Sequence, residues 1–514
     1  MKEESGKRSE LTLKLYHMKK LVSMLAMLSI AFMANSQNTY FTIARGMESK
    51  FMDHEMIYNG QFLGVSEGSD LWLTHSHKGA RKFAKDNDWN IAWLNKNLAS
   101  VFRVDLPYTH RMALLGATVD DEAACVLLVD SSESKSTRVF RAKVALSSKT
   151  LIGGKLDTLQ SYTYTRKDRC VVWGSVSPNG EYMGVLSVIT YRDRGQYKAE
   201  AAVYDAKGEQ VWKREHAVGN TDCIYVTNDG ALLTLASRRE KGEQKFEINV
   251  IDDRNAATYT LTSHCDPLQD MRIVNVVDGN MLCAGRVLNQ KGDLTTGVAA
   301  LSVNIADGSQ VGFNMRLFDS EDRNVLLNRN TKKANQDKGV ESVLPVNYIA
   351  TPTGAAVAYS LCYTNEYINA NGSVSESYGE QGLHIVSIDS KAEVLWARNL
   401  RRNDVSPNEK PYVAMYADGD EVCVVKSENR KMPDTYEIGK EVKEFVQDED
   451  KSNLAMYRID AEGKVSKTVL EKKSKHGLVR SALRNDGSLL MILKKEKKSR
   501  PVTVQRVVPQ ESEF

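Results

Sequence analysis

Two histidines one residue apart, His75 and His77, are the side chains in this sequence best spaced to begin a metal site. Alternate side chains of an extended strand leave on the same side, so both imidazoles would face one way, with Asp53, His54 or His476 to supply a third ligand. Protein zinc sites draw their ligands from recurrent short spacings such as a pair of cysteines two apart. None of the seven cysteines (Cys125, Cys170, Cys223, Cys265, Cys283, Cys362, Cys423) has such a neighbour, so no metal and no cofactor is assigned. An odd number of cysteines leaves at least one unpaired, and Cys223 with Cys265 is the pair to test for a bridge. Arg111, Asp168, Arg169, Asp222, Asp270, Arg272 and Glu341 form a second group. Carboxylates and cations of this kind cleave polysaccharides when a fold brings two carboxylates together across a sugar. The third group is aromatic: Tyr363, Tyr367, Tyr378 and Tyr436. Exposed tyrosines stack on sugar rings or anchor a peptide; buried ones hold long loops down.

What must position these groups is a repeat. Turn pairs recur at Asn59-Gly60, Asp120-Asp121, Asn179-Gly180, Asp229-Gly230, Asp278-Gly279, Thr353-Gly354, Asp418-Gly419 and Asp486-Gly487. Asn-Gly and Asp-Gly suit tight hairpins because both central residues accept positive φ. From Gly60 to Gly487 the average spacing is 61 residues. A second turn follows each first one, best seen at Asp205-Ala206-Lys207-Gly208, at Asp389 and at Asp460, with Trp212 and Trp396 seven residues beyond the turn aspartate. Asn95 and Phe102 keep that offset in the first repeat. Each unit therefore reads strand A, tight turn, strand B, variable loop, strand C, tight turn, strand D, which is a propeller blade.

The expected fold is all-β, a β-propeller of eight four-stranded blades with seven as the alternative. The last repeat supplies strands only to residue 508, so residues 38–45 are expected to complete its blade and close the ring. Cys125, Cys283 and Cys423 each fall four residues after the first turn, where other repeats carry Gly64, Gly184, Thr234 or Ala358. A small packed strand position explains them as buried thiols.

The two tight turns of a blade share one face, and the B–C loops and blade-to-blade connections share the other. Long insertions occur only in the second set: 363–382 in blade six, 426–453 in blade seven and 319–339 between blades five and six. Long loops on a rigid scaffold carry binding residues. Residues 437–448 read as a short helix with Ile438, Val442, Phe445 and Val446 along one side. The run from Lys494 to Arg500 reads as a solvated turn.

Met18-Lys19-Lys20, the uncharged run 21–33 and Ala34-Asn35-Ser36 form a secretory signal pattern, making 1–36 an N-terminal extension and signal peptide and 37–514 a single propeller domain. A run of thirteen residues is short of the ~20 that span a bilayer, so no membrane span is expected after cleavage. The 69 basic and 66 acidic residues give +3, and residues 1–36 contribute all of that excess. A neutral body lacks the basic footprint of a nucleic-acid binder.

The segments from Ser177 to Gly180 and from Asp205 to Trp212 resemble the repeat units of bacterial exported propellers of the WD40-like and quinoprotein-like type. As a fold the resemblance extends over 37–514. The chain is also similar to the eight-bladed scaffold that assists outer-membrane protein assembly in Gram-negative bacteria, which uses its repeats for protein contacts alone. No cysteine follows the apolar run as in those lipoproteins, so their partners are not carried over. The expected function is an exported, periplasmic or secreted, monomeric, non-catalytic scaffold that binds a protein or glycan of the cell envelope. Its ligand residues would be Tyr363, Tyr367, Tyr378, Tyr436, Arg169, Asp222 and Arg272. The alternative is an envelope polysaccharide lyase or hydrolase with its site at the mouth of the central channel.

Overall fold

The computed structural model describes residues 41–45, 61–66, 68–77, 87–95, 100–109, 111–133, 135–191, 196–219, 221–328, 339–368, 374–407, 412–429, 445–446, 452–473, 477–483, 489–494 and 502–509. Within them the chain is a β-propeller. Seven sheets each have four main strands that follow one another along the chain, neighbours antiparallel: blade one over 61–105, two over 113–163, three over 169–216, four over 223–263, five over 268–317, six over 343–407 and seven over 414–472. The first strands of successive blades pack against one another in order, so they line the axis and the fourth strands lie outside.

The expectation of eight like blades is corrected to seven. The remaining strands, Gly477–Leu483, Leu489–Lys494 and Val502–Pro509, form a composite sheet whose outer member is Phe41–Arg45, paired antiparallel from Phe41 opposite Pro509 to Arg45 opposite Gln505. It unites two distant parts of the chain, where each blade is one continuous stretch. The first turn signal was also misplaced. Asn59-Gly60 precedes the first strand of blade one, Gln61–Ser66, and the turn closing that hairpin is at Gly68, where Ser66 pairs with Ser69. The other signals within the seven blades fall between first and second strands as expected; Asp486-Gly487 lies outside the described residues.

The strands form because apolar residues fill them almost without interruption. Ala123–Asp130 is buried at every residue but the last, and Asn280–Leu288 at every residue but the first. Second strands covered on both faces read as such continuous runs, whereas fourth strands such as Gln310–Leu317 have no fully buried residue. Clusters of buried side chains cross blade boundaries, as where Cys125 and Val139 of blade two meet Met183 and Tyr204 of blade three. The outer turns latch as well. Arg141 Nη1 donates to Gly208 O at 2.6 Å, Tyr259 Oη to Ala306 O at 2.9 Å and Arg398 to Gly463 O, each joining one blade to the next one's second tight turn. Gly208 and Gly463 have φ of 74° and 79°, and an added Cβ would strike Cys125 Sγ in the first case and Trp396 in the second. Glycine is needed there for both conformation and room.

Candidate functional site

Blade six departs from the others by growing. Its first strand, Val343–Ala350, is ordinary, but the next three, Gly354–Ile368, Val374–Asp389 and Val394–Pro407, are 15, 16 and 14 residues long. Pairing of the first strand stops at Val343 opposite Leu361, while the second and third continue as a hairpin to Ile368 opposite Val374. The segment 363–382, expected as a loop, is thus mostly ladder. Three strands project past the body of the propeller on the face of the B–C loops. A further strand, Phe445–Val446, comes from the blade-seven insertion and runs parallel to Asp404–Val405 on the outer edge. Phe445 and Val446 are therefore strand residues rather than part of the expected helix; the rest of that helix lies outside the described residues.

Strand alternation divides this extension into two faces. Cys362, Thr364, Glu366, Glu376, Tyr378, Glu380, Arg402 and Asp404 fall on one, and Tyr363, Asn365, Ser377 and Asn403 on the other. The first face is ionic. Arg402, 1% exposed, pairs through Nη1 with Glu380 Oε2 and through Nε with Asp404 Oδ2 at 2.5 Å. Two buried carboxylates thus gather around one guanidinium. At the exposed end Glu366 lies directly opposite Glu376, whose carboxylate accepts the Tyr378 hydroxyl at 2.7 Å. That bond raises the tyrosine's pKa.

Blade seven supplies a second buried cluster beside it. Lys426 and Glu428 are both fully buried in Glu421–Asn429, with Nζ to Oε2 at 3.3 Å. Glu428 also accepts Tyr457 Oη at 2.5 Å and lies 2.7 Å from Lys467 Nζ. Lys426 and Lys467 sit over the Tyr457 ring at 5.3 and 5.5 Å. Lys426 Nζ crosses the blade boundary to donate to Arg401 O at 2.8 Å. The blade-seven insertion is tied to the fourth strand of blade six at its root and again at Phe445–Val446.

The connection from blade five arrives through a short helix, Ser320–Leu326, capped by Asp319, whose side chain accepts from the Glu321 and Asp322 amides while Asp322 accepts from the Asp319 amide. Asp322 then reaches into blade six. Its carboxylate accepts from Arg316 Nη1 at 2.6 Å and Asn399 Nδ2 at 2.8 Å and lies 3.3 Å from His384 Nδ1. Burial pushes its carboxyl upward, but His384, Arg316 and Asn399 outweigh this and hold it well below the usual range. Arg316 Nη1 lies 3.4 Å from His384 Nε2, which fixes that nitrogen as acceptor and turns Nδ1–H toward Asn399 Oδ1 at 2.8 Å and Asp322. An Asp–His pair whose far nitrogen is covered by a guanidinium is an anchor, not a general base.

The seven sequence-predicted ligand residues do not form one site. Tyr363 is half-buried with its ring across Gly379, where an added Cβ would fall 2.0 Å from Tyr363 Cζ. It packs the hairpin. Tyr378 stands on the opposite face, and Tyr367 pairs with Ser375 near the tip. Tyr436 lies outside the described residues. Arg169 is exposed at the start of the first strand of blade three. Asp222 accepts the Ser237 amide at 2.7 Å in blade four. Arg272 lies 5.8 Å over the Tyr348 ring between blades five and six. The neighbouring Asp270 is bound by buried Arg286, Nη2 to Oδ2 at 2.5 Å. Most of the charge grouped at the channel mouth thus has structural partners.

The pentapeptide Gly64-Val65-Ser66-Glu67-Gly68 has the spacing of a serine-hydrolase nucleophile elbow. Its context decides against that reading, because Ser66 turns into another strand at Ser69, whereas the elbow joins a strand to a helix. The side chains of His75 and His77 lie outside the described residues, and among those described no three His, Cys, Asp or Glu gather to hold a metal. Cys125, Cys283 and Cys423 are buried as expected, and burial pushes their thiols up, to about 12 for Cys125 and about 11 for Cys423. Cys223 and Cys265 are separate thiols, the former accepting the Ile273 amide at 3.4 Å.

No family model matches the chain and no curated protein matches it. Among solved structures it is similar to the WD40 domain of SCAP from fission yeast at 11% identity, covering 92% of this chain and 99% of that one with a TM-score of 0.37. It is similar also to the β-propeller domain of the Trilobed protease from Pyrococcus furiosus, at 11% identity over 76% and 93% of the two chains, with a TM-score of 0.32. A puromycin hydrolase matches at 10% identity and a TM-score of 0.36, over 85% of this chain and 58% of its own length. These proteins are alike in fold alone. No helix among the described residues is long and apolar enough to cross a membrane.

Proposed function

We propose that this chain is an exported, monomeric propeller that binds a protein or glycan of the cell envelope through the blade-six extension and its blade-seven strand, with no chemistry of its own. The observation that carries this reading is the extension itself. Three strands continue past the point where the inner strand stops, so they add nothing to the packing around the axis. A neighbouring blade nonetheless braces them. A braced platform that serves no packing role is how a rigid scaffold presents a surface.

The extension can be shortened without disturbing the blade. Thr364 and Tyr378 are directly paired, so joining them through Asn-Gly in place of residues 365–377 leaves a well-formed hairpin. The trimmed protein should keep its melting temperature to within a few degrees and lose capture of envelope components by affinity purification. Undiminished capture by the trimmed protein would reject the reading.

A further inference from the structure

The outer edge of the blade-six extension already accepts a strand. Phe445 lies beside Asp404 and Val446 beside Val405 in parallel register, a pairing of only two residues. Such a pairing is worth few hydrogen bonds, each contributing about 1 kcal/mol, so it can exchange. Beneath it the two side chains that define the buried ionic face are incompletely satisfied. Arg402 Nη2 and Asp404 Oδ1 are buried and have no hydrogen-bond partner among the described residues. Arg402 is 1% and Asp404 8% exposed. A buried donor and a buried acceptor left open cost more than most made bonds return. The residue the chain itself places beside Asp404 is a phenylalanine, whose side chain has no hydrogen-bonding group.

We propose that this edge is a strand-addition site for an extended peptide of a partner protein, parallel to 402–407, with Asn or Gln beside Asp404, and that Phe445–Val446 is its placeholder. A carboxamide fits because it offers both what is missing, an N–H for Asp404 Oδ1 and a C=O for Arg402 Nη2. Backbone pairing would supply affinity, and the residue beside Asp404 selectivity. This rests on the scaffold reading above and narrows its partner from protein or glycan to protein.

The probes are two labelled peptides, one with the chain's own sequence over 437–450 and one with Gln in place of Phe445, titrated by fluorescence anisotropy. The receptor is the full chain carrying Phe445→Pro and Val446→Pro, whose own strand cannot pair. The Gln peptide should bind saturably and about tenfold more tightly than the Phe peptide, since bonds to charged groups exceed neutral ones. Wild type should bind both more weakly than the variant, and Val405→Pro should bind neither. Asp404→Ala, which leaves the backbone edge intact, should erase the preference for Gln while retaining the Phe peptide. Equal affinity for the two peptides, equal affinity of wild type and variant, or a Gln preference that survives Asp404→Ala would each overturn the proposal. Capture lost in the trimmed hairpin but no peptide binding here would remove strand addition and leave the scaffold standing.

Discussion

Blades two to four and blades five to seven are built from the same repeat and bury different things. Among the described residues of blades two to four, the buried charged side chains reduce to Glu200. From blade five to blade seven, with the helix between five and six, they include Arg286, Asp322, Arg323, Glu380, Arg402, Asp404, Lys426 and Glu428. Blades two to four hold together by apolar strands and by ion pairs at their rims, such as Lys143 with Glu209 at 3.0 Å and Lys207 with Glu122 at 3.2 Å. Rim pairs of this kind contribute little. The second half places charges under cover, where apolar residues would stabilise at least as well. The difference teaches where the insertions are rooted: apart from Arg286, these buried charges lie where the connection from blade five and the blade-seven insertion meet blade six.

That contrast can be broken most sharply at Arg402. Replacing it with Met leaves Glu380 and Asp404 buried against each other and should destabilise the protein by about 3–5 kcal/mol in urea titration; a loss below about 1 kcal/mol would mean that the cluster is solvated. Lys426→Met removes one of two lysines from Glu428 and the donor to Arg401 O, and about 1–3 kcal/mol should go. Equal stability of that variant and wild type would detach blade seven's cluster from the brace.

Asp322→Asn tests the helix anchor through pH. The folded carboxyl titrates below its ordinary 3.8, so the stability it contributes is complete above the unfolded value and is lost as pH falls through the folded one. Wild type should exceed the variant by about 2 kcal/mol at pH 7, and the gap should begin to close below about pH 4. A gap that widens on acidification contradicts the anchor. At the small end, Lys143→Ala in blade two should cost less than about 1 kcal/mol, and a cost matching that of Lys426→Met would erase the contrast between the halves.

Much of the repeat was legible in the sequence because its signals are local. Tight turns demand Gly, Asn or Asp, and the strands beside them are short apolar runs, so the repeat could be followed through the six turn signals from Asp120 to Asp418, while the count was read as eight because Asp486-Gly487 extends the same pattern. The first repeat was misread because Asn59-Gly60 is a stronger turn pair than Glu67-Gly68, and spacing alone could not show which one closes the hairpin. Residues 363–382 were expected as a loop because Asn365, Glu366, Asn369, Asn371 and Gly372 break up the apolar pattern. An extension whose buried positions are filled by Ser377, Glu380, Arg402, Asn403 and Asp404 shows no apolar pattern, and that is why it escaped.

The buried ions were missed for the complementary reason. Arg402, Asp404 and Glu380 look like the solvent side of a strand, and only their company hinted otherwise: Arg402 and Asp404 alternate with Asn403 and Val405 in a strand that outlasts its blade. The face from which the blade-six extension projects was readable from where the insertions fell. The tyrosines were a poorer guide, since Tyr363 fills the space over a glycine on the next strand, a contact that sequence spacing does not reveal.

The scaffold account is tested most directly by placing one photoreactive amino acid at Glu366, exposed on the blade-six hairpin, or at Lys198, exposed on the third strand of blade three near the corresponding B–C loop. Crosslinking in intact cells followed by mass spectrometry compares the two blades on the same face. Specific adducts from position 366 and none from position 198 are the predicted result; adducts from both alike, or from 198 alone, would contradict it.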